Sequence, residues 1–182
     1  MSVKLSVVAL MLVAGLAPAH AADDAAAASA VAKGFYGVYA TFQPSDGIPN
    51  QGSRARLEPY LSPALVQLLS DAEAAQKRFA GRNKDAPPLI EGDLFTSNFE
   101  GATSFAIRKC ESAQASARCA ADLGYDPKDG RNKPVGWTDR LYLVRTATGW
   151  RIDDIAYGAN AAFGNKGRLS DTLKEAIRNA GT

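Results

Sequence analysis

The sequence predicts an α+β fold in which helices come first and a curved antiparallel sheet follows and wraps them. Three observations carry this expectation. Apolar residues recur at helical spacing through the first half of the chain, alternation with β-branched and aromatic residues takes over after residue 88, and a short amphipathic pattern closes the sequence.

The chain begins MSVKLSVVALMLVAGLAPAHAADD, with one positive charge at Lys4, an apolar run from Leu5 to Leu16, and small residues Ala19 and Ala21 flanking His20. This is the pattern of a secretory signal peptide, residues 1–21, cut after Ala21. The run of about a dozen residues falls short of the roughly 20 that a permanent span needs. No cysteine lies near the cut to carry a bacterial lipid anchor, so a periplasmic protein without a permanent membrane anchor is expected. Residues 22–182 then suit one α+β domain, with no internal repeat and no long linker.

In AVAKGFYGVYATFQ, Val31, Phe35, Val38 or Tyr39, and Phe42 fall at helical spacing and predict an amphipathic helix with an aromatic face. QPSDGIPNQGS ends it with turn formers. RARLEPYL predicts a second helical stretch. LSPALVQLLSDAEAAQKRFA restarts it, with Ser62 as N-cap, Pro63 at the first helical position, and Leu65, Leu68, Leu69, Ala72 and Phe79 as the buried stripe. After GRNKDAPP the runs SFAIRKC, ARCAADLGY, GWTDRLYLVRT and GWRIDDIAYG read as four strands, the last two joined by a tight turn at TATG. KDGRNKP, Lys128 to Pro134, reads as a solvated basic loop. LSDTLKEAIRNA closes the chain as a helix with Ser170 as N-cap and Leu173 and Ile177 inward.

Composition excludes several kinds of chemistry. Removing residues 1–21 takes away Lys4 and no acid, so the formal charge falls from +2 to +1, too weak a field to gather nucleic acid. The same cut removes His20, the only histidine. A mature chain without histidine has no Ser-His-Asp or Cys-His arrangement and no histidine-based zinc site. Proton transfer is left to Asp, Glu, Tyr and Lys with strongly shifted pKa values. No cofactor, no metal and no catalytic residue is assigned.

Cys110 and Cys119 flank ESAQASAR, which reads as a hairpin loop between two strands, in a compartment that favours disulfides. A bridge across the hairpin's base is favoured over a redox pair or two free thiols, because the close CxxC spacing is missing.

Two polar features stand out. Asp153 and Asp154 are adjacent in GWRIDDIAYG, so on a regular strand they point to opposite faces and share no proton. Trp150, Ile152 and Asp154 would then line one face and Arg151, Asp153, Ile155 and Tyr157 the other. The apolar set changes sides between Ile152 and Ile155, as a β-bulge at the aspartates would produce. Sheet shaping is favoured, with ligand contact second and acid-base chemistry third. In PPLIEGDLFTSNFEG, Asp93 and Glu100 stand among Leu94, Phe95 and Phe99; there the favoured role for Asp93 is to accept nearby backbone amides and hold the turn.

GFYGVYATF, LEPYLSPALVQLL, PPLIEGDLFTSNFEG and GWRIDDIAYG together resemble the bacterial envelope family known as domain of unknown function 3828, over nearly the whole mature chain. The resemblance implies a cone-shaped NTF2-like or cystatin-like α+β fold, in which a curved sheet packs on helices, and an envelope location. It transfers no catalytic residues. Some members are lipoproteins, from which this sequence departs by lacking the lipid-bearing cysteine.

Three kinds of function stay open. The first is a non-catalytic envelope module that binds a protein partner, a small ligand or a second copy of itself as a homodimer, with Asp93, Asp154, Tyr142 and Tyr157 as candidate contacts. The second is an NTF2-like pocket enzyme in which Asp154 or Asp93 works with Tyr36, Tyr39, Tyr142 or Tyr157. The third is a periplasmic inhibitor or immunity protein. A deep pocket holding one of these acids with a raised pKa would favour the enzyme, and a cone filled by side chains would disfavour it.

Overall fold

The computed structural model describes residues 17–42, 47–129, 131–158 and 164–181, with side chains from residue 21 onward. The apolar run Leu5–Leu16 of the expected signal peptide, residues 43–46 of the first loop and Gly130 of the basic loop lie outside the described residues.

The order of elements is the one the sequence predicts. Helices α1 (Ala17–Tyr39), α2 (Gln51–Leu57) and α3 (Pro63–Arg82) precede strands β1 (Ser104–Ala113), β2 (Ser116–Tyr125), β3 (Val135–Thr146) and β4 (Gly149–Ala156), and α4 (Leu169–Asn179) closes the chain. The strands form an antiparallel meander in the order β1-β2-β3-β4. No helix among the described residues is long and apolar enough to cross a membrane.

Helix α1 lies across the inner face of the sheet. Its buried stripe is Ala28, Ala32, Phe35, Tyr36 and Tyr39, so Tyr39 rather than Val38 faces the core, while Val31 and Phe42 are only partly buried. An ion pair from Arg145 on β3 to Asp24 ties its first turns to the sheet. Helix α2 starts three residues earlier than the sequence suggests, because Asn50 caps it by accepting the Ser53 amide at 3.0 Å. It gives way to a 3-10 turn at Glu58–Tyr60. The buried Arg54 then ion-pairs with Glu73 and joins α2 to α3.

Ser62 caps α3 as expected, accepting the Leu65 amide at 3.1 Å. The buried stripe is Leu65, Leu69, Ala72 and Ala75; Phe79 stays partly exposed and Ala75 takes its place. Helices α3 and α4 pack together beside β4.

The β1–β2 hairpin is longer and tighter than its polar composition suggested. Both strands continue through ESA and SAR to a two-residue turn at Gln114 and Ala115, with Gln114 in the left-handed region at φ 53°. Small polar residues here form an exposed ladder rather than a loop. Cys110 and Cys119 are direct cross-strand partners, bonded to each other and buried on the inner face three pairs below the turn.

Two bulges bend this sheet. On β1, Arg108 and Lys109 together oppose Ala120; on β4, Asp153 is the extra residue between the pairs Leu143–Ile152 and Tyr142–Asp154. The β4 bulge is the one the sequence predicted, and it overturns the face expected for a regular strand. Trp150, Ile152 and Ile155 all reach the core, whereas Asp154 shares the outer face with Tyr142.

The free edge of β4 is covered by short bridges from Leu61 to Ile152 and from Arg168 to Ala156. β1 guards its own edge with the bulge and its two basic residues.

Cutting the cystine should cost on the order of 2 to 3 kcal/mol, from the loop-closure entropy of so short a ring. Urea unfolding of the Cys110→Ala, Cys119→Ala double variant against the oxidised protein measures this, and thiol labelling of the unreduced, unfolded protein should find no free sulfhydryl.

Candidate functional site

The adjacent aspartates each serve the start of a different helix. Asp153 Oδ1 accepts the Ser62 hydroxyl at 2.6 Å, while the Ser62 amide donates to the Ile152 carbonyl at 2.7 Å, so the bulge grips the N-cap of α3. Asp154 accepts from four donors: the amides of Ile155 at 2.9 Å and Ser170 at 3.0 Å, the Ser170 hydroxyl at 2.9 Å, and the Arg168 guanidinium at 3.2 Å. Ser170 is therefore not the N-cap of α4. That position falls to Arg168, which makes no side-chain cap, and Asp154 supplies the acceptor from across the sheet edge. A carboxylate at a helix N-terminus complements the orphan amides and the dipole there. Arg168 also lies over the Tyr142 ring at 4.2 Å, and its pairing with Asp154 raises its pKa further.

Asp93 sits under an irregular segment that is almost wholly buried. Oδ1 accepts the amides of Phe95 at 2.8 Å and Thr96 at 2.7 Å, the turn-holding role expected for it; Oδ2 accepts the Tyr39 hydroxyl at 2.7 Å. Tyr39 in turn accepts the Ala102 amide at 3.0 Å. Gly101, at φ 79°, lies so close that a Cβ there would stand 2.6 Å from the Tyr39 hydroxyl. Burial pushes the Asp93 carboxyl up to about 7, against the hydrogen bonds from Tyr39, Phe95 and Thr96 that favour its ionised form. Burial likewise raises Tyr36, Tyr39 and Tyr157.

Tyr157 donates to the Leu94 carbonyl at 2.8 Å, and Tyr36 to that of Phe95 at 3.3 Å. Both hold the same segment. Sequence reasoning missed the other acid beside it. Asp139, fully buried on β3, accepts the amides of Ser97 and Gly158, each at 2.8 Å, the Ser97 hydroxyl, and Trp137 Nε1 at 3.1 Å. Its signal was legible: Asp139 shares the inward parity of Leu141 and Leu143, and an acid at such a position needs donors. Asn165, which donates to the carbonyls of Asp93 and Thr96, carried no such signal.

The four candidate contacts therefore divide. Asp93 and Tyr157 are spent on the buried segment, and Asp154 and Tyr142 border an open groove on the outer sheet face. That groove encloses about 640 Å³ and is lined by Glu111, Arg118, Tyr142, Asp153, Asp154 and Arg168 among others. A second groove of about 380 Å³ adjoins it through Glu111 and Arg118. Among the described residues, no group of three His, Cys, Asp or Glu side chains stands together as metal ligands would.

Comparison with known proteins shows a 27% identical relative, an uncharacterized lipoprotein, YbjP, of Escherichia coli (strain K12). The match runs over 132 residues, 68% of this chain and 63% of the relative. The chain thus spans less than two thirds of that protein's length. No family model matches, and no solved structure matches.

Asp154→Asn should destabilise the fold by on the order of 1.5 to 3 kcal/mol, since charge-assisted bonds to Arg168 and the α4 start are lost. Asp153→Asn, with one hydroxyl donor to lose, should cost less than about 1 kcal/mol. Urea unfolding of the two variants gives the ordering. For Asp93, the folded pKa of about 7 lies above the ordinary value of 3.8, so between these values the folded protein holds a proton that the unfolded chain has released. Stability from this group therefore falls as pH rises through that window, by on the order of 2 to 4 kcal/mol. Asp93→Asn should remove this slope, read as the difference between wild type and variant in urea unfolding at a series of pH values.

Proposed function

We propose that this chain is an exported bacterial envelope protein that acts by binding, and that the outer face of its sheet receives an envelope protein partner or a small ligand. The observation that carries this reading is the open groove on a sheet face that none of the described helices covers, bordered by Tyr142, Asp154 and Arg168. Its volume of about 640 Å³ lies in the range of ligand sites, roughly 300–1,000 Å³. An aromatic ring already stacked under a guanidinium supplies a rigid contact surface at small entropic cost.

The acid best tuned for proton transfer is Asp93, and three hydrogen-bond donors occupy it beneath a buried segment that neither groove touches. Asp154 does border the larger groove, yet four donors already use its oxygens. This favours binding over Asp/Tyr chemistry. The leader-like residues 1–21 support export with cleavage near Ala21 and a periplasmic domain over residues 22–182. The relative, an uncharacterized lipoprotein, supports the envelope location, and an envelope location fits the family that the sequence resembles.

One preparation tests both halves of this reading. Mass measurement of protein recovered from the periplasm should give a chain beginning at Ala22, and an intact Met1 species in the membrane fraction would overturn the export step. A photo-crosslinking side chain at Tyr142 should give discrete adducts in whole cells, and the same group at exposed Lys174 should give none. Equal labelling at the two positions would overturn the assignment of the outer face.

A further inference from the structure

The outer sheet face gathers positive charge around one small residue. Ala120, at the middle of β2, is opposed on one side by the bulge residues Arg108 and Lys109 and on the other by Arg140 of β3. Arg118, two residues earlier on β2, projects from the same face. With Ala120 too small to fill the space between them, these four cations line the second groove of about 380 Å³.

Their compensation is incomplete. Arg108 pairs with Asp122, whose other oxygen takes the Thr138 hydroxyl at 2.8 Å. Glu111 alone serves both Lys109 at 3.5 Å and Arg118 at 3.7 Å. Arg140 is exposed and has no ion pair or side-chain hydrogen bond among the described residues. Two acids against four cations leave this one groove with as large a positive excess as the +2 of the whole chain. Arg118 and Arg140 are diagonal neighbours on one face, where like charges oppose the pairing of their strands. An anion between them turns that repulsion into two attractions.

We propose that this groove binds the phosphate group of a small soluble ligand, between Arg118 and Arg140 with Arg108 and Lys109 at the rim. The cations come from three adjacent strands rather than as one fork. That arrangement suits a tetrahedral oxyanion, which offers acceptors in several directions, better than the two coplanar oxygens of a carboxylate. The large exposed apolar side chains are elsewhere: Phe105 stacks on Tyr36 of α1, Val135 opens β3, and Phe99 covers Gly92. Among the described residues the groove therefore has no large apolar side chain at its rim to enter a bilayer, which favours a soluble ligand over a lipid headgroup. It opens into the larger groove at Arg118, so the remainder of the ligand lies toward Tyr142. This inference rests on the reading of the outer face as a binding surface.

Inorganic pyrophosphate is the probe. Titrated into the isotope-labelled protein, it should give saturable amide shifts concentrated at residues 108–120 and 140. Arg140→Gln should weaken the binding at least fivefold, whereas Lys174→Gln, which removes the same charge from an exposed position on α4, should leave it unchanged. Four outcomes would overturn the proposal: no saturable shift, equal weakening by the two variants, succinate binding as tightly as pyrophosphate, or preference for phosphatidic acid vesicles over the soluble probe. Pyrophosphate binding without adducts at Tyr142 keeps this site and overturns the larger groove as the contact for a protein partner, and adducts without pyrophosphate binding overturn this site and keep the larger groove.

Discussion

The structure depends on burying an irregular stretch of backbone without leaving its polar groups unpaired. Residues 93–97 have no helix or strand to satisfy them, yet all five are essentially inaccessible to solvent. Every unpaired amide or carbonyl there would cost about 1 to 3 kcal/mol. Side chains from distant elements supply the partners instead: Tyr36 and Tyr39 from α1, Asp139 from β3, Tyr157 and Asn165 from the chain beyond β4. The acids and tyrosines that look chemically expensive in the sequence are what this burial requires. Phe95 then meets Phe35 edge-on at 5.5 Å, and the segment fills the space between α1 and the β3–β4 end of the sheet.

The β4 bulge solves a second problem with one inserted residue. It keeps Trp150, Ile152 and Ile155 in the core, frees Asp153 to reach the α3 cap, and turns Asp154 outward under the first turn of α4. The same contacts cover the edge of β4, so one local irregularity sets two helix positions and shields a sheet edge. The outer sheet face keeps its freedom because these contacts end at its margin.

Periodicity made the helices, the strands and the bulge legible, for each is a local pattern written in a dozen residues or fewer. The change of side between Ile152 and Ile155 is such a pattern. Capping was legible where the capping residue is adjacent, as at Ser62, and hidden where the acceptor comes from another element, as Asp154 does for Ser170. The hairpin tip misled because ESAQASAR has loop-like composition, whereas an exposed two-stranded ladder asks only for small or polar side chains on its outer face. The grooves were illegible for a related reason. Each is made by cross-strand register, and nothing in β2 alone says that Ala120 will stand between Arg108, Lys109 and Arg140.

The partners of the buried segment also impose an order on the chain's assembly. A polypeptide delivered N-terminus first has Tyr36 and Tyr39 in place when Asp93 arrives, but the donors to the Asp93 and Thr96 carbonyls come from Asn165, 72 and 69 residues later. Until then these two carbonyls lack the donors they have in the folded protein. Closure of the native structure thus waits on residues near the C-terminal end, because the last partners of this buried segment arrive only when nearly all of the chain is available.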